Sequence, residues 1–476
     1  MDSRSESNVD PTSWMFPIQV LLGTIRHGEV EACSISKVPD KLSKPNKDAY
    51  VPQVVSIGPY HRGSQNDLLL MMEQPKWNYM LSLLGRSLFQ AEQQNRGGKT
   101  EDGPTMVREC GETILGIEYI VRASYGGNVL SERHELAKLM LLDGCFLLEF
   151  LHRLHENKEA LKGRAGDNGD YDDDPVFESL DKVLSVLSDL LLLENQVPFI
   201  VLKKLYRKLF PVPDLLEQDH RVATLAMEAL GYPSFVPTSG AAHLLHLVYL
   251  SIVNQEDRKK TRPVCQELER CATRLRARGV TIRPGGRSNM NQFGDIFNFE
   301  INFDHGVLEI PPLRIKKLTE VMWRNMIAWE QSRIVTSCKL TSYALFFKGL
   351  ICCTHDIELL KRVGIIVNES GKKNEDLRKL FENLCEGVDQ MDWSYSEVCG
   401  KLNSHTGTRT LRKRSIVTWH QCRRIIAIIV YYWKNWYHVL IKEHIPTVWK
   451  LIGVLAAVAL LGLTIAQTYY SAKSSK

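Results

Sequence analysis

LAKLMLLDGCFLLEF, residues 136–150, decides the fold class. Leu136, Leu139, Met140, Cys145, Phe146 and Phe150 recur at intervals of three and four, so they share one face of a helix. The stretch just after residue 66 reads the same way, with Leu68, Met72, Tyr79, Met80, Leu83, Leu84 and Phe89 near one face. Further helical stretches are predicted near 176–209, 217–230, 240–254, 264–278, 317–331 and 340–362. One section breaks the period. FNFEINF, residues 297–303, alternates apolar and polar, Asp304-His305-Gly306 supplies turn residues, and residues 307–310 continue as a second strand before Pro311-Pro312. Residues 280–282 are a candidate third strand. The expected fold is mainly α: a large multi-helix domain with a small β-hairpin or sheet element. Polar stretches at 92–104, 158–175 and 283–294 read as loops, and no repeat is visible.

Several polar side chains interrupt the apolar runs. DLLLLENQVPFIVL, residues 189–202, sets Glu194, Asn195 and Gln196 between two apolar blocks. LLDGCFLLEF carries Asp143 and Glu149, and MIAWEQ carries Glu330. A buried carboxylate or amide must be paired or hydrogen-bonded. These six residues are therefore expected to form a structural polar network that caps and registers helices. The competing reading is a cleft lined by Asp143, Glu149 or Glu194.

The chain of 476 residues is 44% hydrophobic and 24% charged, which suits a globular protein and excludes bulk disorder. Its net charge of +5 is uneven. Residues 401–450 hold ten Lys and Arg against one acid, Glu443; with Lys473 and Lys476 set apart as well, residues 1–400 are net −6. An acidic body without a basic stripe argues against nucleic acid as a partner, despite LRKRS at 411–415. Eleven scattered cysteines with no CxxC pair do not form a disulfide framework and fit a reducing compartment.

Residues 451–472, LIGVLAAVALLGLTIAQTYYSA, carry no charge. As a helix, 451–470 is roughly 30 Å long, the thickness of a hydrocarbon core. Trp449 marks one end, Leu451 begins the span, and Tyr469 and Tyr470 mark the other interface. The expectation is a single-pass C-terminal transmembrane helix with a short tail at 471–476. MDSRSESNVDPTS lacks the basic start of a secretory signal, and residues 14–25 read as a short amphipathic helix. The N-terminal domain is therefore expected in the cytosol, with the plasma membrane or endoplasmic reticulum as the membrane. The basic, aromatic region 401–450 includes a nine-residue apolar run, 425–433, too short to span. It reads either as an interfacial helix or as a core helix that closes the domain.

No catalytic motif is found: GxSxG, GxxxxGK[ST] and GxGxxG are all absent. His134-Glu135 begins like a zinc helix, but Lys138 stands where the second His is required. Asp170, Asp172 and Asp174 alternate as in a calcium loop, but Pro175 replaces the turn glycine. Cys352-Cys353-Thr-His355-Asp356 invites a metal argument, yet adjacent cysteines on a helix do not chelate one ion, so a buried helical segment is expected. Cys145 has no identifiable base. The reading assigns no catalytic residue, no cofactor, no metal ligand and no small-molecule substrate.

These segments carry a resemblance. CSISKVPDKL (33–42), AYVPQVVSIGPYHRG (49–63), Met72-Glu73-x-x-Lys76, LLDGCFLLEF and DLLLLENQVPF occur in order. HLLHLV, ATRLRARGV, FDHGVLEIPPL, RNMIAWEQ, TSYALFF, DIELLKRVGIIVN and LTIAQTYYS follow. The set resembles the plant family known as domain of unknown function 247, an uncharacterised protein family, over residues from about 30 to 470. Lys37 and Ser332 depart from its more frequent Arg and Cys, and the Cys352–Cys353 pair is not a family feature. The resemblance implies a plant membrane protein, mostly helical, with one C-terminal span; it implies no catalytic residues or cofactor. Some relatives are associated with pollen-side self-incompatibility in grasses, a role that no motif carries to this chain. The expected organisation is an N-terminal segment (1–30), a family helical domain (31–400), the juxtamembrane region, the span and the tail. The expected role is non-enzymatic protein recognition or signalling at a membrane, with the lipid bilayer and an unknown protein as partners. An enzyme on an unrecognised scaffold and a lipid-surface adaptor are the alternatives.

Overall fold

The structure, a computed structural model, describes residue 22, residues 32–63, 66–93, 103–129, 131–157, 174–211, 215–230, 240–253, 266–285, 297–333, 338–389 and 394–406, and helical positions 456–457, 459–464 and 467. The chain divides into two compact units, Met1–His405 and Thr406–Lys476.

The first unit is helical around one long central element. In order, its longer helices are α1 (Glu73–Gln93), α2 (Gly103–Gly116), α3 (Arg133–Glu156), α4 (Leu180–Leu190), α5 (Phe199–Leu209), α6 (Leu215–Ala229), α7 (Leu244–Ile252), α8 (Thr319–Gln331), α9 (Lys339–Leu350), α10 (Thr354–Arg362), α11 (Asn374–Asn383) and α12 (Ser396–Ser404). Helix α3 packs against α1, α2, α5 and α6. Its unbroken run Leu142–Leu151 is buried on every face, as a helix surrounded by helices must be. Arg153 and His155 close it, where cations suit the negative end of the dipole. Met72, just before α1, and Tyr79, Met80, Leu83 and Leu84 on it are buried as the periodicity predicts. Leu68 and Phe89 are exposed instead. Leu68 belongs to a separate short helix, Asp67–Met71, and Phe89 falls on the far face of the 3.6-residue repeat.

The predicted helices at 176–209 and 340–362 are each broken in two. Ser179 caps α4 by accepting from the Lys182 N–H, and Pro198 precedes α5. The turn at 351–353 separates α9 from α10. The predicted 264–278 helix shrinks to Ala272–Ala277.

The hairpin is present but shorter than its alternation suggests. Strand β2 is Asn302–Asp304 and β3 is Val307–Ile310, and β1, Thr281–Pro284, pairs parallel with β3 to give the order β1-β3-β2. His305 (φ 46°) and Gly306 (φ 79°) make the turn, both left-handed as a tight hairpin requires. Residues 297–301 leave the ladder because Phe297 and Phe299 turn onto Trp323 and Tyr343. A second sheet, unforeseen in the sequence, pairs β4 (Leu313–Ile315) parallel with β5 (Ile366–Asn368).

In the second unit the described positions near 456–467 are helical, and Leu460, Leu461 and Leu463 are exposed. Among the described residues no helix is long and apolar enough to cross a membrane. The rest of the expected span, with Trp449, Leu451 and Tyr470, lies outside the described residues. So do the 425–437 patch, most of residues 14–25, and the greater part of the three polar stretches.

Candidate functional site: a polar clamp on residues 53–58

Residues 53–58, QVVSIG, form an irregular segment, bent at 53–54 and at Gly58, without a β partner among the described residues. Their backbone groups are satisfied by side chains from distant segments. At the end of α4, Asp189 accepts from three consecutive amides: Gln53 N at 2.9 Å, Val54 N at 2.6 Å and Val55 N at 2.8 Å. Asn195 accepts from Ile57 N at 2.7 Å and donates to the Val55 carbonyl at 3.0 Å, which reproduces one rung of a β ladder with an amide side chain. Asp143, from the middle of α3, accepts from Gly58 N at 2.9 Å. Lys76, from α1, donates to the Ser56 carbonyl at 2.5 Å and pairs with Asp143 at 2.9 Å and Glu73 at 2.8 Å. Asp143 and Asn195 are 0% exposed, and Lys76 is 1% exposed.

Gln196 locks the loop that carries these groups. Its amide donates to the carbonyls of Leu190 and Leu192 at 2.7 and 2.8 Å, and its Oε1 accepts from Leu245 N at the start of α7. Carbonyls at and just past the end of α4 thereby gain partners. Gly58 fits this corner because it has no side chain: φ is +71°, and an added Cβ would lie 2.6 Å from the Gln196 carbonyl oxygen. Asn325 of α8 extends the clamp, accepting from Leu193 N at 2.9 Å and donating to the Ala49 carbonyl at 2.8 Å.

The electrostatics follow from burial. Burial raises the Asp143 carboxyl above its ordinary range, against the pull of Lys76. Burial alone would lower Lys76, but Asp143 and Glu73 more than offset it and hold the ammonium charged. Burial pushes Asp189 up to about 6 although three N–H groups oppose the shift.

The other three predicted residues do not join this clamp. Glu149 faces Arg86 (3.1 Å) and Arg153 (2.9 Å), and Arg153 continues to Asp174 at 2.6 Å. Asp174 also accepts from the Tyr79 hydroxyl, so the last carboxylate of the 170–174 alternation, read as a solvated loop, is instead buried in an ion pair. Glu330, in the last turn of α8, caps the start of α9, accepting from Leu340 N, Thr341 N, the Thr341 hydroxyl and the Tyr249 hydroxyl. Burial pushes its carboxyl up to about 8. Glu194 is less enclosed than its neighbours, with a side chain 17% exposed. It accepts from Val38 N at 2.7 Å and lies 3.9 Å from His61, whose imidazole is lowered to about 4 by burial and Lys37.

Lys76, Asp189 and Asn325 complete the clamp and escaped the list of candidates. Lys76 had a signal: it sits within the apolar stripe of α1, between Met72 and Tyr79. Asp189 resembles an ordinary helix terminus and Asn325 an ordinary helical residue. The reading of Cys352 and Cys353 as a buried helical segment is also corrected. Cys352 is exposed, and Cys353 is the residue that caps α10. Cys145 is buried in α3, and burial raises its thiol.

An open pocket of about 430 Å³ lies elsewhere, lined in part by Asn46, Glu320, Arg324, Lys372, Lys379 and Asn383. None of Asp143, Glu149, Glu194 or Glu330 lines it. Glu320 is already held there by Arg324 (3.0 Å), Asn46 (2.9 Å) and Lys372.

The clamp residues fall within the motifs quoted above. Residues 35–463 match the profile of domain of unknown function 247, described as "plant protein of unknown function". The chain belongs to this family. The UPF0481 protein At3g47200 of Arabidopsis thaliana is similar, 27% identical over 402 residues, 79% of this chain and 78% of that protein. The putative UPF0481 protein At3g02645 of the same plant is 25% identical over 206 residues, 42% of this chain and 33% of that protein. No solved structure matches. The clamped strap lies within AYVPQVVSIGPYHRG, and the LLDGCFLLEF and DLLLLENQVPF segments supply its jaws together with Lys76.

Proposed function

We propose that this protein is a non-enzymatic recognition or signalling scaffold held at a membrane by residues 451–470, with its helical unit on the cytosolic side. One observation carries the non-enzymatic part. The carboxylates and amides singled out in the apolar runs point into helix ends, backbone amides and internal cations, and none lines the open pocket. A catalytic acid or base must instead reach a substrate proton from such a pocket. Asp143 and Asp189 spend their hydrogen-bonding capacity on residues 53–58, which suits a rigid body that presents an outer surface.

Membrane attachment rests on the uncharged 451–472 run, its aromatic margins and the basic residues before it. The protein partner is unidentified, and the bilayer is the lipid partner. Expression of the full chain in microsomes tests the topology. A glycosylation acceptor fused after Lys476 is expected to be modified, and residues 1–440 are expected to be digested by protease added outside. Deletion of 451–476 is expected to release the protein into the soluble fraction. Protection of the helical unit together with a glycan on Asn368 reverses the orientation. The non-enzymatic reading fails if a Glu330→Gln variant, altered at a fully buried carboxylate, melts like wild type yet loses the cellular function.

A further inference from the structure

Three potential metal ligands meet where the segment before Ala272 approaches the turn between α9 and α10. They are Cys271, Cys352 and Asp356, and one ligand atom from each lies within 4.8 Å of the others. Four-coordinate zinc with Zn–S bonds of about 2.3 Å sets its sulfurs roughly 3.8 Å apart, so contraction by about 1 Å at most closes the site. The carboxylate is already aimed. Asp356 accepts from Thr273 N (2.8 Å), Cys352 N (3.0 Å) and Cys353 N (3.2 Å), the kind of outer hydrogen bonding that orients metal-binding carboxylates. Asp356 and Cys271 are buried while Cys352 is exposed, so an ion can enter from solvent and keep a fourth position for water.

We propose that Cys271, Cys352 and Asp356 form a binding site for one zinc ion, which would staple the segment before Ala272 to the α9–α10 turn. Two sulfurs with one carboxylate exclude magnesium and calcium, which prefer all-oxygen shells, and favour a thiophilic divalent ion. The three ligands come from positions 81 and 85 residues apart in sequence or four apart along the capping turn, so only the folded chain assembles them. No cysteine spacing announces the site, because the two thiols are not in a CxxC pair.

The test uses the full chain purified in detergent under reducing conditions and titrated with cobalt(II), then with zinc. The expected result is one equivalent of cobalt bound with a thiolate-to-cobalt charge-transfer band, displaced by zinc, and a zinc-dependent rise in melting temperature. Cys352→Ser, at an exposed position, is expected to keep the wild-type circular dichroism and lose the band. Its zinc affinity is expected to fall more than about tenfold, since even outer-sphere changes cost 10–100-fold. Cys33→Ser, an exposed cysteine far in sequence from the site, is expected to bind like wild type. Wild-type protein that binds no cobalt, a Cys352→Ser variant that binds it equally well, or a Cys271–Cys352 disulfide in place of metal overturns the proposal.

Discussion

Lys76→Met tests the clamp at its centre. The substitution preserves an unbranched side chain but removes the ammonium that joins Asp143, Glu73 and the Ser56 carbonyl. Removing one partner of a buried pair costs about 3–5 kcal/mol because the other charge is stranded. Asp143 is 0% exposed and keeps only the Gly58 amide, so the loss belongs in that range. The lost Ser56 hydrogen bond adds about 1 kcal/mol. Adding Asp143→Asn removes the stranded charge while retaining an oxygen for Gly58. The double variant is therefore expected to lose less than the two single variants combined, with a coupling of roughly 2–3 kcal/mol. The Lys76→Met deficit also depends on pH. The folded Asp143 pKa is raised already, and without Lys76 it rises further. A carboxyl with a raised folded pKa contributes stability below its unfolded value, about 3.9, and loses it as pH rises through the folded value. The deficit is thus larger at about pH 8 than at about pH 5. Urea denaturation of the full chain in detergent, followed by tryptophan fluorescence, measures all three effects. A Lys76→Met loss below about 1 kcal/mol at neutral pH, or strict additivity with Asp143→Asn, refutes the clamp as an energetic unit.

Three further outcomes follow from individual contacts. Glu330→Gln replaces one accepting oxygen with an amide donor, which faces two of the four converging donors, and is expected to cost about 2 kcal/mol. It should also flatten the decline in stability that the raised Glu330 carboxyl produces as pH climbs toward about 8, visible in melting curves across that window. Gly58→Ala places a methyl against the Gln196 carbonyl at a left-handed φ, so a drop of more than about 2 kcal/mol is expected in the same denaturation assay. Glu194→Gln keeps an oxygen for Val38 N on a partly exposed side chain, so its loss should be about 1 kcal/mol or less; a larger drop would mean its charge matters more than this geometry implies.

Helix type was legible wherever the apolar stripe was long. Both α1 and α3 follow as helices from their 3.6-residue period, although Phe89 falls off the buried face of α1 and α3 is buried all round; the turn at Asp304-His305-Gly306 follows from its residues. Polar residues inside apolar runs also marked positions that needed internal partners, because desolvating an unpaired polar group is costly. Local sequence determined that much about this protein. It did not determine where Asp143, Asn195 or Gln196 would find those partners. Gly58 lies 85 residues from Asp143, and Val55 lies 134 from Asp189. Nor did it separate α4 from α5, although Pro198 lies between them; in the fold Asn195 and Gln196 donate to the carbonyls of Asp189, Leu190 and Leu192 where the first helix ends. The same holds for β4 with β5, two three-residue strands that pair only because the chain returns. Periodicity is a property of neighbours along the chain, whereas hydrogen-bond partners are chosen by proximity in space. Tertiary packing alone brought seven amides and carbonyls of the 53–58 strap to side chains from α1, α3 and the 189–195 segment.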